Sequence, residues 1–424
     1  MTLAGRRVLV GMSGGIACYK ACELVRQLRQ AGATVHVVMT AAAQQFVTPL
    51  TLQALSGSPV ATDTFDLTQE SEIGHIHLAD TADVVVLAPA TANLVAKMAH
   101  GIADDLLTTV LLATRAPIVV APAMNVHMWE HAATQDNVRT LVRRGVTLVG
   151  PASGSLACGY EGPGRLADPL DIVEAAIVAV TPQDLTGERV LVSAGPTREA
   201  IDPVRYLTNH SSGKMGYAIA RVARRRGAVV TLVSGPVGLP PPPGVRVVPV
   251  ESERAMEAAL RAEFARATVL VMAAAVADYR PAAVLDRKMK KGPGDRVLAL
   301  TRNVDIVTAL AKTKGGRTVV GFAAETHDLV VEARRKLREK GLDLIVANDV
   351  TAEGAGFGSD TNVVRLLDAA GLDAALPVLP KEAVAARILD WVSGHRRAGA
   401  RVKRRRSRGS GSRQRSTRAP RPSV

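Results

Sequence analysis

Cysteine is scarce in this chain of 424 residues: three, at positions 18, 22 and 158. So small and odd a number argues against a disulfide framework and for a reducing compartment, the cytoplasm. Long apolar runs are missing too. None reaches the roughly 18–20 residues a membrane helix needs, so no membrane association is expected. Met1–Val10 leads directly into a strand-like run and lacks the layout of a secretory signal. Acidic residues are absent from Arg396 to Val424, where twelve Arg and Lys stand among Ser, Gly and Pro. That tail carries most of the formal net charge of +14; the rest of the chain holds about +2, ordinary for a globular protein. With almost no apolar side chains the tail cannot bury enough surface to fold. Aromatics are not interleaved with its charges, so base stacking is not suggested. A disordered, solubilising extension is favoured over a nucleic-acid arm.

What is present is a chain of 47% hydrophobic composition, ample for two cores. Strand-like and helix-like segments alternate in both halves, the pattern of α/β domains with parallel sheets. In the first half the strand candidates are Arg7–Met12, Val35–Met39, Asp83–Ala88 and Pro117–Ala121, with helices at Ala17–Ala31 and Val95–Thr114. A polar segment, Thr181–Gly187, marks the boundary. Beyond it come strand candidates at Arg189–Ser193, Val229–Ser234, Val245–Val250, Val269–Ala273, Thr318–Phe322 and Asp343–Ala347, with a helix following Pro196 and running to Arg226. The organisation expected is a domain over 1–181, a second over 187–394 and the basic tail over 395–424.

The chemistry-bearing motifs fall at strand ends, where open α/β sheets bind ligands. Gly11-Met-Ser-Gly-Gly-Ile-Ala17 joins the first strand to the first helix. Its small residues let backbone N–H groups approach an anion, and Ser13 offers a further donor. The motif is neither a G-x-G-x-x-G nor a Walker loop. Ala88-Pro-Ala-Thr-Ala-Asn93 and Ala121-Pro-Ala-Met-Asn125 end two more strands, and Asn125 can grip a carboxylate without changing its charge. His75 and His77 lie two apart in an apolar setting; on a strand they would share a face, but no third metal ligand stands at diagnostic spacing. Cys158 sits among four glycines in Gly154–Arg165, a flap from which a thiol could deliver a proton. In the second half, Asn209-His-Ser-Ser-Gly-Lys-Met-Gly216 offers hydroxyls and a cation ahead of a helix, yet Thr208 and Met215 depart from a P-loop. Ala273-Ala-Ala-Val-Ala-Asp278 permits close approach of a ring or ribose, with Asp278 able to reach a metal ion. Asp286–Gly294 reads as a mobile loop containing Lys288, Lys290 and Lys291, while Lys336 and Lys340 lie on a later helix; lysine is the expected point charge for phosphates.

Together Ser13-Gly-Gly-Ile, His75, Ala121-Pro-Ala-Met-Asn125 and the Cys158 flap resemble the flavin-containing cysteine decarboxylases, over roughly residues 4–180. The resemblance implies a flavodoxin-like domain holding FMN through Ser13, Gly14, Gly15, Thr40, Phe46 and the Ala90–Asn93 loop, Thr91 included. It implies oxidation of the substrate's cysteine end to a thioaldehyde, loss of CO2 and reduction of the resulting enethiol. His75 would assist the early steps, Asn125 would hold the carboxylate and Cys158 would be the acid. The second half resembles the phosphopantothenate–cysteine ligases, over about 187–394, through Ala194-Gly-Pro-Thr, the Asn209 motif, the Ala273 run, Gly321-Phe-Ala-Ala-Glu-Thr and Ala347-Asn-Asp-Val. That implies a Rossmann-like domain using CTP and Mg2+ to join 4′-phosphopantothenate to cysteine. Lys288 would stabilise the first transition state and Asn209 would position the acyl intermediate. Ala273, Ala274, Ala275, Asn303, Asp305, Ile306, Phe322, Lys336 and Lys340 would hold the nucleotide, and Asp278 nucleotide and metal. Val304 stands where the family usually has proline. A homo-oligomer, a dodecamer of flavin-domain trimers and ligase-domain dimers, is the assembly implied. The contrasting reading is a regulatory FMN-binding protein without catalysis, whose expected sign, loss of Cys158 or Asn209, is absent.

Overall fold

A computed structural model describes residues 3–64, 74–155, 159–291, 295–325, 328–349, 356 and 358–411. The chain divides into two compact units, residues 1–182 and 183–424. In the first, strands β1 (Arg7–Met12), β2 (Thr34–Met39), β3 (Val60–Ala61), β4 (Val84–Ala90), β5 (Ile118–Pro122) and β6 (Thr147–Leu148) form a parallel sheet in the order β3-β2-β1-β4-β5-β6. Its helices are α1 (Cys18–Gln30), α2 (Pro49–Ser56), α3 (Gly74–Thr81), α4 (Ala92–His100), α5 (Leu106–Ala113), α6 (Val126–Glu130), α7 (Ala132–Arg143) and α8 (Pro169–Val180). Side chains alternate across a strand, so Val8, Val10, Val84 and Val86 meet α1 and α8 on one face. Leu9, Val85 and Leu87 meet α4 and α5 on the other. A hairpin, β7 (Ala152–Ser155) with β8 (Glu161–Arg165), follows the sheet. Cys158, in the stretch between its strands, lies outside the described residues.

Two local expectations for this unit change. The helix expected over Val95–Thr114 is two helices. Gly101, left-handed at φ 70°, ends α4, and Asp105 caps α5 through a reciprocal bond with Thr108. His75 and His77 lie on a helix, not a strand, and side chains two apart on a helix do not share a face.

The second unit is built on an eight-stranded sheet. Its strands are β9 (Arg189–Ala194), β12 (Val229–Ser234), β13 (Arg246–Pro249), β14 (Val269–Met272), β17 (Thr318–Glu325), β18 (Leu344–Asp349), β20 (Val364–Asp368) and β21 (Asp373–Ala375). Two-stranded antiparallel pairs β10 (Glu199–Ala200) with β11 (Tyr206–Leu207), β15 (Tyr279–Pro281) with β16 (Leu300–Arg302), and β19 (Thr361–Asn362) with β22 (Leu379–Pro380) complete the strand set among the described residues. The order β13-β12-β9-β14-β17-β18 is parallel, and β20 and β21 add antiparallel strands at one edge. Helices α9 (Lys214–Arg225) and α13 (Lys381–Gly411) cover one face; α10 (Glu253–Phe264), α11 (Ile306–Ala311) and α12 (Leu329–Glu339) cover the other. The helix expected directly after Pro196 begins only at Lys214. Asp202 closes a turn by accepting the Val204 and Arg205 amides, and hairpin β10–β11 takes up the chain instead. Among the described residues α13 continues to Gly411, into the stretch expected as the basic tail. His395 stacks on Trp391, and Arg396 pairs with Glu188 at 3.1 Å and donates to Gly316 O at 2.8 Å.

Candidate active sites

In the first unit the chain crosses from one face of the sheet to the other between β1 and β4, the switch point at whose carboxyl end open α/β sheets bind ligands. The β1–α1 and β4–α4 loops are stitched together there. The Ser13 hydroxyl, 4% exposed, donates to Pro89 O at 2.8 Å and accepts from the Thr91 amide at 2.9 Å. This hydroxyl, expected to donate to an anion, is instead engaged by main chain. Gly14 is required by contact: a Cβ there would lie 2.4 Å from Ala42 Cβ and 2.7 Å from its carbonyl carbon. The β2 end thus presses on the same loop, where Thr40 caps the turn through the Ala43 amide at 3.2 Å. Phe46, half exposed, follows that turn. A Cβ added to Gly15 would meet the Thr91 methyl at an ordinary 3.6 Å. Thr91 caps α4, Ala90 is fully buried, and Asn93 is exposed in the first turn of α4.

Asn125 caps α6, accepting the His127 amide at 2.8 Å. Hairpin β7–β8 is docked beside it: the Met124 amide donates to Gly164 O at 3.0 Å, and Tyr160 meets the His127 ring edge-on at 5.0 Å. The strands flanking Cys158 are therefore anchored to the Asn125 loop. His75 is half-buried on α3, which packs on α5, and its Nδ1 is buried with no hydrogen-bond partner. Among the described residues no three His, Cys, Asp or Glu side chains are arranged to hold a metal ion.

The second unit holds a cavity of 370 Å³ at the carboxyl ends of β14 and β17. It gathers Ala273, Ala274, Ala275 and Asp278 after β14, Asn303, Asp305 and Ile306 at the start of α11, Phe322 on β17, and Lys336 and Lys340 at the end of α12. These residues span much of the domain's sequence, and the parallel sheet brings their strand ends to one rim. Neighbouring loops brace the alanine run. The Ala275 amide donates to Gly195 O at 3.0 Å, the Ala277 amide to Thr197 Oγ1 at 3.0 Å, and Asn209 Nδ2 to Ala275 O at 2.5 Å. Gly195 and Gly213, both at φ 76°, meet at this point.

Some expected contacts are already occupied within the protein. Asn303, 8% exposed, donates to Ala277 O at 2.7 Å and accepts from Arg280 at 2.6 Å, so its carboxamide fixes the wall. Asp305 caps α11 and pairs with Lys340 at 2.9 Å. Burial works against its charge, but Lys340 and the Thr308 amide prevail and hold the carboxyl below its ordinary range. Asp278 is exposed at the rim, and its carbonyl accepts the Asn303 amide. Lys288 does not line the cavity; it is exposed on the loop after β15.

The cavity also contains Lys381 and Asn362, which motif reading did not pick out, beside Lys214 of the Asn209 motif and Asn348 of the Ala347 stretch. Lys381, 7% exposed, begins α13 and donates to Ser359 O and to Thr361 O, the latter at 2.9 Å. Burial first, and then Lys214, push its ammonium below its ordinary range, partly offset by Asp360. Lys214 donates to Gly358 O at 2.8 Å and pairs with Asp360 at 2.6 Å. Asn348 and Asn362 line the same space. No spacing in the sequence links positions 214, 348, 362 and 381; only the sheet does.

Comparison with known proteins follows the same division. Residues 1–181 match the family model described as Flavoprotein, and residues 185–395 match the DNA/pantothenate metabolism flavoprotein C-terminal domain. The coenzyme A biosynthesis bifunctional protein CoaBC of Vibrio vulnificus strain YJ016 is 50% identical over 394 residues, covering 92% of this chain and 98% of its own. That of Escherichia coli strain K12 is 51% identical over 397 residues, with the same coverage. A crystal structure of the C-terminal domain of a CoaBC protein is 44% identical, covering 50% of this chain and 97% of its own at a TM-score of 0.44. The chain therefore belongs to the family of bifunctional enzymes of coenzyme A biosynthesis, a flavoprotein domain followed by a ligase domain.

Proposed function

We propose that the two units catalyse consecutive reactions. The second joins 4′-phosphopantothenate to cysteine at the expense of CTP, and the first decarboxylates the resulting 4′-phosphopantothenoylcysteine to 4′-phosphopantetheine with FMN. The observation that carries this reading is the cavity of 370 Å³, which gathers the alanine run, the Asn303–Ile306 turn and two lysines in a chain that is 50–51% identical to two CoaBC proteins over 92% of its length.

In the ligase cavity the small side chains of Ala273, Ala274 and Ala275 leave room for a flat base or ribose beside Phe322. Lys336 and Lys340 meet the phosphates, with Asp305 fixing the Lys340 ammonium. The donor set suits magnesium: one carboxylate at the rim, Asp278, with the nucleotide's own phosphates completing the shell. A substrate carboxylate oxygen attacks the α-phosphorus, a P–O bond forms and pyrophosphate leaves. Lys288 stabilises the charge that develops. The cysteine amine then attacks the acyl carbon, an amide forms and CMP departs. Asn209, whose carboxamide is tied to the Ala275 wall, holds the acyl group in place.

In the flavin domain the close seat of Gly14 on Ala42 keeps side chains out of the β1–α1 loop, as a phosphate and ring system require. Thr40, Phe46, Ala90, Thr91 and Asn93 stand on the adjoining strand ends. Ser13 acts by stitching those loops. Bound FMN would supply a reversible two-electron sink, which makes loss of CO2 feasible. Asn125 holds the leaving carboxylate without adding charge, and His75, whose buried Nδ1 has no hydrogen-bond partner, assists the early steps. Cys158 delivers the final proton. The same identity over 92% of the chain favours catalysis over a merely flavin-binding regulatory role. Exposed Tyr279, Leu285, Leu298 and Leu300 around hairpin β15–β16 support self-association of the ligase domain within a dodecamer. No helix among the described residues is long and apolar enough to cross a membrane; a cytoplasmic setting follows from the reading itself.

The test is to supply purified protein with 4′-phosphopantothenate, cysteine, magnesium and CTP. Pyrophosphate should appear first and CO2 second, and Cys158→Ser should release CO2 without forming the reduced thiol. Release of pyrophosphate alone from a colourless protein would remove the flavin half of the proposal.

A further inference from the structure

Lys288 stands on an exposed loop, yet the loop is held at one point. Asp202 has a side chain with no solvent exposure. Its carboxylate accepts from the Val204 and Arg205 amides at 2.8 and 2.9 Å, from Arg205 Nε at 2.9 Å, and from the Met289 amide at 3.1 Å. Arg205 then donates through Nη2 to the Met289 carbonyl at 2.8 Å. Both main-chain groups of the residue after Lys288 are thus gripped by one ion pair, 84 to 87 residues away in sequence. Upstream, the Leu285 amide donates to Ile201 O at 3.0 Å, so the same turn holds the loop twice.

A buried carboxylate is costly unless its lone pairs are filled. Here they are filled, and one partner belongs to a lysine-bearing loop that packs few apolar side chains of its own. A simple turn at Asp202–Arg205 would need only the Val204 and Arg205 amides. The Met289 bonds add nothing to that turn; what they fix is the height and direction of the neighbouring lysine.

We propose that Asp202, with Arg205, is a positioning residue for the ligation reaction, a clasp on Met289 that sets where the Lys288 ammonium stands when the acyl phosphate bond forms. This rests on the role given to Lys288 above. Misplacing a charged group by about 1 Å can cost on the order of 100-fold in rate. Asp202→Asn keeps the side chain's size but loses the ion pair. It should lower kcat for pyrophosphate release about 100-fold while the CTP KM, set in the cavity, stays within about twofold. Asp202→Glu, which keeps the charge, should recover part of the loss.

The experiment measures pyrophosphate release and hydrogen exchange in the full chain. In the unaltered protein the Met289 amide should exchange at least about tenfold more slowly than those of Lys288 and Lys290, and Asp202→Asn should erase the difference. Lys288→Gln should lose activation as severely as Asp202→Asn, and the double variant should be no worse. Retained turnover in Lys288→Gln would sink the reading of Lys288 itself. Loss in Lys288→Gln with kcat preserved in Asp202→Asn would overturn the clasp alone. So would an unprotected Met289 amide in the unaltered protein, a result that does not depend on any variant folding.

Discussion

The two units begin alike and diverge a few residues later. Each opens with a central strand that has a serine at its carboxyl end, Ser13 just after β1 and Ser193 next to last in β9, and each serine reaches across to the next parallel strand. Ser13 Oγ accepts the Thr91 amide at 2.9 Å, and Ser193 Oγ accepts the Ala274 amide at 3.1 Å. In the first unit the serine's own hydrogen goes to a carbonyl, Pro89 O at 2.8 Å; in the second it goes to the Met272 sulfur at 3.5 Å. Beyond the stitch the first unit offers loops from four strand ends, while the second encloses 370 Å³ between β14, β17 and the lysines of α12. One device for joining two strand ends at the switch point thus serves two sites. What differs is the sequence after the second strand: Pro89-Ala-Thr turns into a helix at once, whereas Ala273–Ala277 runs on as a thin wall.

The comparison breaks most violently at glycine. A Cβ on Gly235 would sit 1.8 Å from Pro196 O, and one on Gly14 2.4 Å from Ala42 Cβ. Gly235→Ala should cost more than about 4 kcal/mol and abolish the melting transition of the ligase unit. Gly14→Ala should cost about 2–3 kcal/mol in the flavin unit. Calorimetry on the full chain checks both, because each variant should move one transition and leave the other. A Gly235→Ala protein with two normal transitions would show that the loops bracing the alanine wall slide freely.

The serines sharpen the comparison. Ser13→Ala strands the Thr91 amide and removes a strong acceptor's partner, for about 2 kcal/mol. Ser193→Ala strands only the Ala274 amide, since a bond to thioether sulfur is weak, and should cost about 1 kcal/mol. Equal losses by denaturant titration would mean that the sulfur contact matters as much as the carbonyl one.

Charge separates the units in function rather than stability. Lys340 pairs with Asp305 inside the cavity rim, and Lys97 pairs with Asp104 at 2.7 Å on the flank of α4. Lys340→Met should raise the CTP KM about tenfold, the value of one partly screened charge on a phosphate. Lys97→Met should leave both activities within about twofold. Steady-state kinetics with CTP varied decides it; an unchanged KM in Lys340→Met would take Lys340 out of the nucleotide site.

Much of this architecture was legible in the sequence. The runs Arg7–Met12, Val84–Ala90 and Val229–Ser234 are buried strands because they are short, continuous and β-branched. The alanine run and the Asn303–Ile306 turn, which line the cavity, are short local stretches that motif and resemblance could single out. Other features had no local signature. Hairpins such as β10–β11 contain two-residue strands, too short for any period to show. The setting Ile73-Gly-His-Ile-His-Leu reads equally as strand or helix at that length, and the structure places its described part in α3. Lys381 joins Lys214 of the Asn209 motif in the cavity because α13 packs against α9, a tertiary fact. Charge marked Lys288, Lys290 and Lys291 alike and only the family resemblance singled out Lys288, while the tether of its loop to Asp202 is non-local.

The smallest expected effect concerns acid. Glu253, at the start of α10, is 1% exposed with Oε1 lacking a partner, while Glu199 accepts its amide at 2.8 Å. Burial, then repulsion from Glu257 and Glu199, raises its carboxyl above the ordinary range. A carboxyl raised on folding contributes stability below its unfolded pKa and loses it as pH climbs through the folded one. In the flavin unit Asp83 has the opposite sign: the Arg7 amide, then Arg6, outweigh burial and depress it. Its contribution is present above the unfolded pKa and fades as pH falls through the folded one. Glu253→Gln should therefore raise the ligase transition by about 2 °C at pH 7 and by nothing at pH 4. Asp83→Asn should lower the flavin transition by a similar amount at pH 7, with the difference fading toward pH 3. Should Glu253→Gln instead lower the transition at pH 7, the buried carboxylate must be ionised and held by Arg280 and Arg254, and the two units would share one response to acid rather than opposing ones.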